Sequence, residues 1–180
     1  MKIFYILALA VAAITHTIPA EARNVDMSVM ERIYDETDIL PAIRHASEEE
    51  QDELVCLSLN VYHETRSSTI DDMMGSVFVA LKRIKEQHRG KNTACEVVWD
   101  TKQFSWTHDG ASDIPREEQA WEMSQMIAVL VYFYADEGLP DPTNGANHYV
   151  RYDVVDDVEW TKKAEWYLRV GDHVYMYIES

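Results

Sequence analysis

Hydrophobic residues recur at helical spacing in the first half of the compact part of the chain. Over residues 48–63 they return every three or four positions on overlapping faces, which predicts a largely buried helix with Glu64 at its C-terminal end. Ser47 and Glu50 stand at the spacing of a capping box, in which two side chains satisfy each other's backbone amides. The helix should therefore begin directly after Ser47.

A second helix is predicted to follow the run Ser67-Ser68-Thr69, which supplies its N-cap candidates, and to end at about Gln87. Ser68 and Thr69 are N-cap candidates, because their hydroxyls accept hydrogen bonds from the free amides of a first helical turn. Acidic residues follow them, an apolar stripe faces inward, and the last turn is basic, which suits the helix dipole. These three sets are Asp71 and Asp72; Met73, Val77, Ala80, Leu81 and Ile84; and Lys82, Arg83 and Lys85.

Residues 96–106 show no clean period and are interpreted as a structured loop. A third helix is predicted over residues 114–134, with Asp113 near its N-cap and Pro115 in its first turn. The side chains expected to pack inward from this helix are Trp121, Ile127, Leu130 and Tyr134.

The C-terminal part changes to the alternation of polar and apolar residues that is typical of strands. Strand candidates are residues 148–154, 165–170 and 173–178, with Gly171-Asp172 as a hairpin turn between the last two. Helices followed by strands predict an α+β fold, formed here by a single compact domain over residues 47–180.

The first 46 residues differ in pattern from this domain. An apolar run precedes Ala20-Glu21-Ala22, the small-x-small form of a signal peptidase site, so residues 1–22 are interpreted as a signal peptide and the protein as exported. The run is shorter than the roughly 20 residues of a membrane-spanning helix, and an uncleaved anchor is the alternative. Residues 23–46 are polar and predict a loosely packed arm.

Charge and cysteine content narrow the class of protein. A formal net charge of -16 makes nucleic acid an unsuitable partner and is typical of a well-solvated surface. Cys56 and Cys95 would be able to pair in an oxidising compartment, and two buried reduced thiols are the equal alternative.

Glu64 is the first candidate for chemistry. It lies in Tyr62-His63-Glu64-Thr65-Arg66, where a rigid helix end holds a carboxylate. Glycosidic cleavage needs a proton on the leaving oxygen, and a glutamic acid supplies it when apolar surroundings raise its pKa. The alternative is a surface carboxylate paired with Arg66.

Four blocks of this sequence, in order, resemble the cell-wall hydrolase family of the spore-cortex-lytic type. They are Tyr62-His63-Glu64-Thr65-Arg66 with Gly75-Ser76-Val77; Cys95-Glu96-Val97-Val98 with Gln103-Phe104-Ser105-Trp106; Asp141-Pro142-Thr143-Asn144-Gly145-Ala146 with Tyr149; and Trp160 with Val170-Gly171-Asp172-His173. The similarity spans residues 48–177. Departures are Thr65 for Ala, Lys82-Arg83-Ile84 for Asn-Arg-Val, and Tyr175 for Phe.

The resemblance implies a lysozyme-like helical part with the catalytic Glu at a helix end, plus a small antiparallel sheet. It also implies cleavage of peptidoglycan between N-acetylmuramic acid and N-acetylglucosamine by lytic transglycosylation, for which Glu64 alone suffices as acid and base. Muramidase-type hydrolysis of the same bond would normally need a second carboxylate. The open candidates for that carboxylate are Asp71, Asp72, Asp109 and Asp141.

Other residues receive supporting roles. The substrate-binding candidates are Gln103, Ser105, Tyr149, Tyr62 and Arg66. Phe104, Trp106 and Trp160 are predicted to belong to the core, and His148 to be a structural imidazole. We expect peptidoglycan glycan strands as the partner, a monomer with no membrane span after processing, and no cofactor or metal.

Two rival classes remain open. A zinc-dependent wall hydrolase would need His63, His148 and His173 to meet, but no His-x-x-x-His or His-Glu-x-x-His spacing occurs in the sequence. A non-catalytic wall-binding module would keep the fold without turnover.

Overall fold

A computed structural model describes residues 27–179, with helices first and a small sheet last. The helices are α1 (Met27–Glu36), α2 (Pro41–Arg44), α3 (Glu48–Thr65), α4 (Ile70–Lys85), α5 (Ala94–Val98) and α6 (Glu118–Tyr134). The strands are β1 (His148–Arg151), β2 (Trp166–Val170) and β3 (His173–Tyr177). The α+β fold and the single compact domain are confirmed.

Helix α3 is the centre of the helical part. Every residue from Leu54 to Tyr62 is buried, and the helix packs against α4, α5 and α6. A helix that is buried all round must be surrounded by other elements. The capping box of Ser47 and Glu50 forms as predicted, so α3 begins at Glu48 and carries Glu64 in its last turn.

Among the N-cap candidates for α4 the structure selects Thr69, because its hydroxyl accepts a hydrogen bond from the Asp72 amide. Helix α3 is joined to α5 by a disulfide between Cys56 and Cys95, which resolves the two cysteine alternatives. The segment predicted as a loop over residues 96–106 starts within the short helix α5. It ends at a 3-10 turn that begins at Ser105.

The N-terminal segment differs from the predicted loosely packed arm over residues 27–46. Met30, Ile33 and Ile43 are buried in the main hydrophobic core, and Trp121 Nε1 donates a hydrogen bond to the Asp38 carbonyl at 3.0 Å. The apolar residues of α1 form a narrow stripe along the helix, and this stripe is buried against the rest of the domain. The predicted signal peptide over residues 1–22 lies outside the described residues.

Helix α6 begins at Glu118 instead of residue 114. The hydroxyl of Tyr62 accepts hydrogen bonds from the backbone amides of Arg116 and Glu117 at 2.9 and 3.0 Å, and these residues stay outside the helix. Trp121 and Ile127 pack inward as predicted. Leu130 and Tyr134 do not, with exposures of 38% and 55%.

The three strands form an antiparallel sheet in the order β1-β3-β2. The central strand β3 is buried from His173 to Met176, and it packs toward α4 at Gly75. β1 ends at Arg151, three residues before its predicted end, because the chain turns into a 3-10 helix at Tyr152. No helix within residues 27–179 is long and apolar enough to cross a membrane.

Candidate active site

Glu64 lies where two adjoining cavities meet. One has a volume of about 380 Å³ and the other of about 310 Å³. Glu64, Arg151 and His173 line both of them, so together they form a longer cleft with Glu64 along its course. A larger cavity of about 550 Å³ lies between the α1–α2 connection and α6, and Glu64 does not line it.

The surroundings of Glu64 favour the protonated carboxyl group. Burial raises its pKa above the ordinary value, while the nearby charges of His173 and Arg83 act in the opposite direction. Within residues 27–179, no side chain or backbone amide donates a hydrogen bond to this carboxyl group. A carboxyl group that is desolvated, unpaired and next to a cavity is suited to give a proton to a bound ligand.

Arg66 is not the partner of Glu64, which overturns the surface-pair alternative. The Arg66 guanidinium lies 4.6 Å from the ring centroid of Tyr62 and forms an ion pair with Glu117 at 3.1 Å. It also donates to the Tyr62 carbonyl at 2.9 Å. Neither Tyr62 nor Arg66 lines the two cavities, so these two substrate-binding candidates join α3 to the start of α6 instead.

The other three substrate-binding candidates lie together beside Glu64. Gln103, Ser105 and Tyr149 all line the larger of the two cavities. The Tyr149 hydroxyl accepts a hydrogen bond from Asn60 Nδ2 at 3.4 Å, which fixes the tyrosine against the buried face of α3. The fold therefore brings Gln103 and Ser105 from the α5–α6 connection and Tyr149 from β1 to one cavity.

Arg83 is a cavity residue that the sequence interpretation missed. It was assigned to the basic, dipole-compensating last turn of α4, but its exposure is only 4%. Its Nε donates to the Asn147 carbonyl at 2.7 Å, whereas its Nη1 is buried without a hydrogen-bond partner. Burial lowers its pKa to about 10. The available signal was its position three residues after Ala80, on the buried face of the helix.

Of the four candidate second carboxylates, none lines either cavity. Asp141 accepts hydrogen bonds from the amides of Thr143 and Gly145, so it shapes its own turn. Asp109 accepts from the Ala111 amide. Asp72 is buried behind His173 and bonds to it. The acidic residues that do line the smaller cavity with Glu64 are Asp153 and Asp172.

The aromatic assignments are correct for two of the three residues. Phe104 and Trp106 are buried in the core, but Trp160 is 38% exposed and lines the cavity that contains Gln103. A partly exposed indole next to a polar cleft offers a flat apolar surface to a sugar ring. Trp160 thus belongs with the candidate ligand-binding residues.

The three histidines of the zinc alternative have separate partners. His63 stacks on Trp106 and contacts the Asp113 carbonyl, His148 bonds to the Asn147 side chain, and His173 bonds to Asp72. Within residues 27–179, no group of three His, Cys, Asp or Glu side chains is placed to hold a metal ion.

Comparison with protein families gives one result. The family model described as Cell Wall Hydrolase matches residues 70–176, which is more than half of the chain. The chain belongs to this family. The matched span of this cell wall hydrolase includes most of the cleft but begins after Glu64. No curated protein and no solved structure matches the chain.

Proposed function

We propose that this cell wall hydrolase cleaves the bond between N-acetylmuramic acid and N-acetylglucosamine in peptidoglycan, by lytic transglycosylation with Glu64 as general acid and base. The observation that carries the proposal is the Glu64 carboxyl group, which lies in a cleft with a raised pKa and no hydrogen-bond partner within residues 27–179. Family membership supports the cell wall as the place of action.

The proposed reaction uses the protonated form of Glu64 first. Its proton goes to the leaving oxygen while the bond from that oxygen to the muramic anomeric carbon breaks. The muramic 6-hydroxyl then bonds to the same carbon, closing an anhydro ring and releasing a proton that restores Glu64. No external water is consumed, so a second carboxylate is not required.

Muramidase-type hydrolysis of the same bond is the second candidate. It would need a carboxylate that activates water or attacks the anomeric carbon. Asp153 and Asp172 line the smaller cavity, which is the observation in its favour. Asp153 forms an ion pair with Arg151 at 2.7 Å, and transglycosylation needs no second carboxylate at all, so we place hydrolysis second.

The two cavities suggest how a glycan strand binds. We infer that the strand passes Glu64 from one cavity to the other, with sugar residues on both sides of the scissile bond. Gln103 and Ser105 offer hydrogen bonds to acetamido or hydroxyl groups, and Trp160 and Tyr149 offer ring surfaces. We expect Glu64 to protonate the oxygen between these two groups of subsites.

The decisive variant is Glu64→Gln, because the amide keeps the size of the side chain but has no acid proton. General-acid loss costs roughly 10²–10⁴ in rate, so digestion of purified peptidoglycan should fall by at least two orders of magnitude with an unchanged melting temperature. Glu117→Gln is the matched control, since Glu117 is an acid near the end of α3 that lies outside the cleft. Digestion by Glu64→Gln at near the wild-type rate would overturn the proposal.

Product analysis separates the alternatives. Mass spectrometry should detect anhydromuramic ends for transglycosylation and reducing ends for hydrolysis. Full activity in a chelator is expected, whereas loss of activity would favour the zinc-dependent class. Absence of turnover by the wild-type chain would favour a wall-binding module.

We also propose that the protein is exported and that its mature form begins at Arg23. The support is the Ala20-Glu21-Ala22 site after a short apolar run. The mass of the secreted protein measures this directly, and an active form that retains residues 1–22 would contradict it.

A further inference from the structure

Asp72 is a fully buried carboxylate with an unusually complete set of donors. The Tyr175 hydroxyl donates to its Oδ1 at 2.7 Å, and the Asp172 amide donates to its Oδ2 at 3.0 Å. The Ser68 hydroxyl also donates to Oδ2. Although burial opposes ionisation, these bonds and His173 keep the pKa of Asp72 below its ordinary value. The residue is therefore a fixed anion inside the fold.

This anion determines the state of the His173 ring. Nδ1 of His173 lies 3.1 and 3.0 Å from the two Asp72 oxygens, and an ionised carboxylate only accepts hydrogen bonds, so Nδ1 must carry a proton. The ring has an exposure of only 3% and rests edge-on against Tyr149. The Asp72 carboxylate and the Tyr149 ring thus fix the position of the imidazole, and the carboxylate also fixes its tautomer.

The other ring nitrogen is the one left for chemistry. No hydrogen bond to Nε2 of His173 occurs within residues 27–179, and His173 lines the same two cavities as Glu64. The two groups are close enough that an imidazolium at His173 would act on the Glu64 carboxyl group. An imidazole with Nδ1 on a buried carboxylate and Nε2 free toward a cleft is the arrangement that general-base chemistry uses.

We propose that His173, positioned by Asp72, takes the proton of the attacking hydroxyl group while Glu64 supplies the proton of the leaving group. The inference rests on the proposed glycan-cleaving function and refines its second step, since the proton of the attacking hydroxyl group now reaches Glu64 through His173 instead of directly. Asp72 acts only through His173 and is a positioning residue.

The proton balance closes without a further reactant. Glu64 gives its proton to the leaving oxygen as the glycosidic bond breaks, and the attacking oxygen loses its proton to Nε2 of His173 as it bonds to the anomeric carbon. The imidazolium then returns this proton to the Glu64 carboxylate. Both residues regain their starting states, whether the attacking oxygen is the muramic 6-hydroxyl or water.

Several charged and titratable groups face the His173 ring. Asp72, Asp153 and Asp172 are acidic, and Arg151 is basic. The groups to consider, taken from all elements around the ring, are Glu64, Asp72, Tyr149, Arg151, Asp153, Asp172 and Tyr175. The test therefore relies on the number of ionisations and not on their midpoints.

His173→Asn is the informative variant. Its side-chain amide keeps a donor near the position of Nδ1 for the Asp72 bond and has no group at the position of Nε2. The wild-type profile of kcat/KM against pH should have two limbs, one for each proton-transfer group. In His173→Asn, kcat/KM should fall by roughly 10²-fold or more. Its pH profile should have a single limb, along which kcat/KM decreases as pH rises and Glu64 ionises.

His63→Gln is the matched control, because His63 is also a partly buried imidazole at the end of α3 but lies outside both cavities. It should lower the melting temperature without removing either limb. His173→Gln places its amide near the position of Nε2 and loses the bond to Asp72. Its pH profile should also lack the second limb. Asp72→Asn should lower the rate, and adding it to His173→Asn should cause little further loss of rate, since it acts through that ring.

Two results would overturn this inference. One is a His173→Asn enzyme with two limbs and near wild-type kcat/KM. The other is a reduced rate with both limbs kept, which indicates a structural role. The proposed function fails on a different measurement, because only activity retained by Glu64→Gln removes the catalytic acid.

Discussion

Arg83 donates a hydrogen bond from Nε to the backbone carbonyl of Asn147 at 2.7 Å. This bond ties the end of α4 to the residue before β1 and directs the guanidinium toward the cavity that contains Glu64. Its Nη1 remains buried without a partner. Because an unsatisfied buried donor costs roughly 1–3 kcal/mol, an acceptor oxygen of a bound ligand would gain affinity here.

We predict that Arg83→Met lowers kcat/KM by roughly tenfold or more, the scale of one charged hydrogen bond of about 1.5–3 kcal/mol. The loss should appear mainly in KM. Since Arg83 lowers the pKa of Glu64, the variant should also keep the Glu64 proton to higher pH. Steady-state kinetics across pH measure both effects.

Lys85→Met is the control for Arg83→Met, because Lys85 is an exposed cation on the same helix end. It should leave kcat/KM unchanged. Equal effects of the two substitutions would show that Arg83 acts through the overall electrostatic field of the protein and not through a hydrogen bond to an acceptor oxygen of the ligand.

The sequence was informative about elements with strong local signals and less so about their neighbours. The Ser47 capping box and the Thr69 cap were readable because both ends of each interaction lie within one turn. The start of α6 was not, since it depends on the Tyr62 hydroxyl more than fifty residues earlier in the chain. The burial of Ile33 likewise depends on partners distant in sequence.

The candidate active site shows the same difference between local signals and contacts that are distant in sequence. Glu64, Gln103, Ser105 and Tyr149 were found through the family blocks, and the fold brings these residues to one cavity. Arg83 was missed because a basic residue near a helix end has an adequate explanation in the helix dipole. Its direction only becomes clear when β1 packs against α4 and the Asn147 carbonyl is in place.

We predict that Gly75→Ala destabilises the fold. A Cβ atom at residue 75 would lie 2.7 Å from the ring of Tyr175 and 2.8 Å from Thr143 Cγ2. Both neighbours are buried, so the helix must move from the sheet, at a cost of roughly 1–3 kcal/mol. The melting temperature should fall by several degrees, and an unchanged value would contradict the close approach of α4 to β3.

We predict that loss of the Cys56–Cys95 disulfide lowers the free energy of unfolding by about 4 kcal/mol, from the entropy of closing its loop. The two residues are 39 positions apart in the sequence. Urea unfolding of the wild type with and without reductant measures the difference. A Cys56→Ala, Cys95→Ala variant should unfold like the reduced wild type and should not respond to reductant.

Glu53, which contacts the first residue of the disulfide-linked helix α5, makes the free energy of unfolding depend on pH. Burial raises its pKa to about 7, although the Ala94 amide, which donates to its carboxylate at 2.7 Å, acts in the other direction. In the unfolded chain this carboxyl group has its ordinary pKa of 4.5. Between these two pKa values the folded state holds the proton and the unfolded state does not, so stability falls as pH rises.

We therefore predict that Glu53→Gln makes the protein more stable than wild type above pH 7 by up to about 3 kcal/mol, with little difference near pH 4.5. The amide keeps an acceptor for the Ala94 amide but carries no charge to bury. Urea unfolding at a series of pH values measures the slope. Glu49→Gln is the control, since this exposed neighbour contributes only a lesser charge effect on Glu53. If Glu53→Gln retains the wild-type slope between pH 4.5 and 7, another group is responsible and Glu53 is ionised at neutral pH in the folded state.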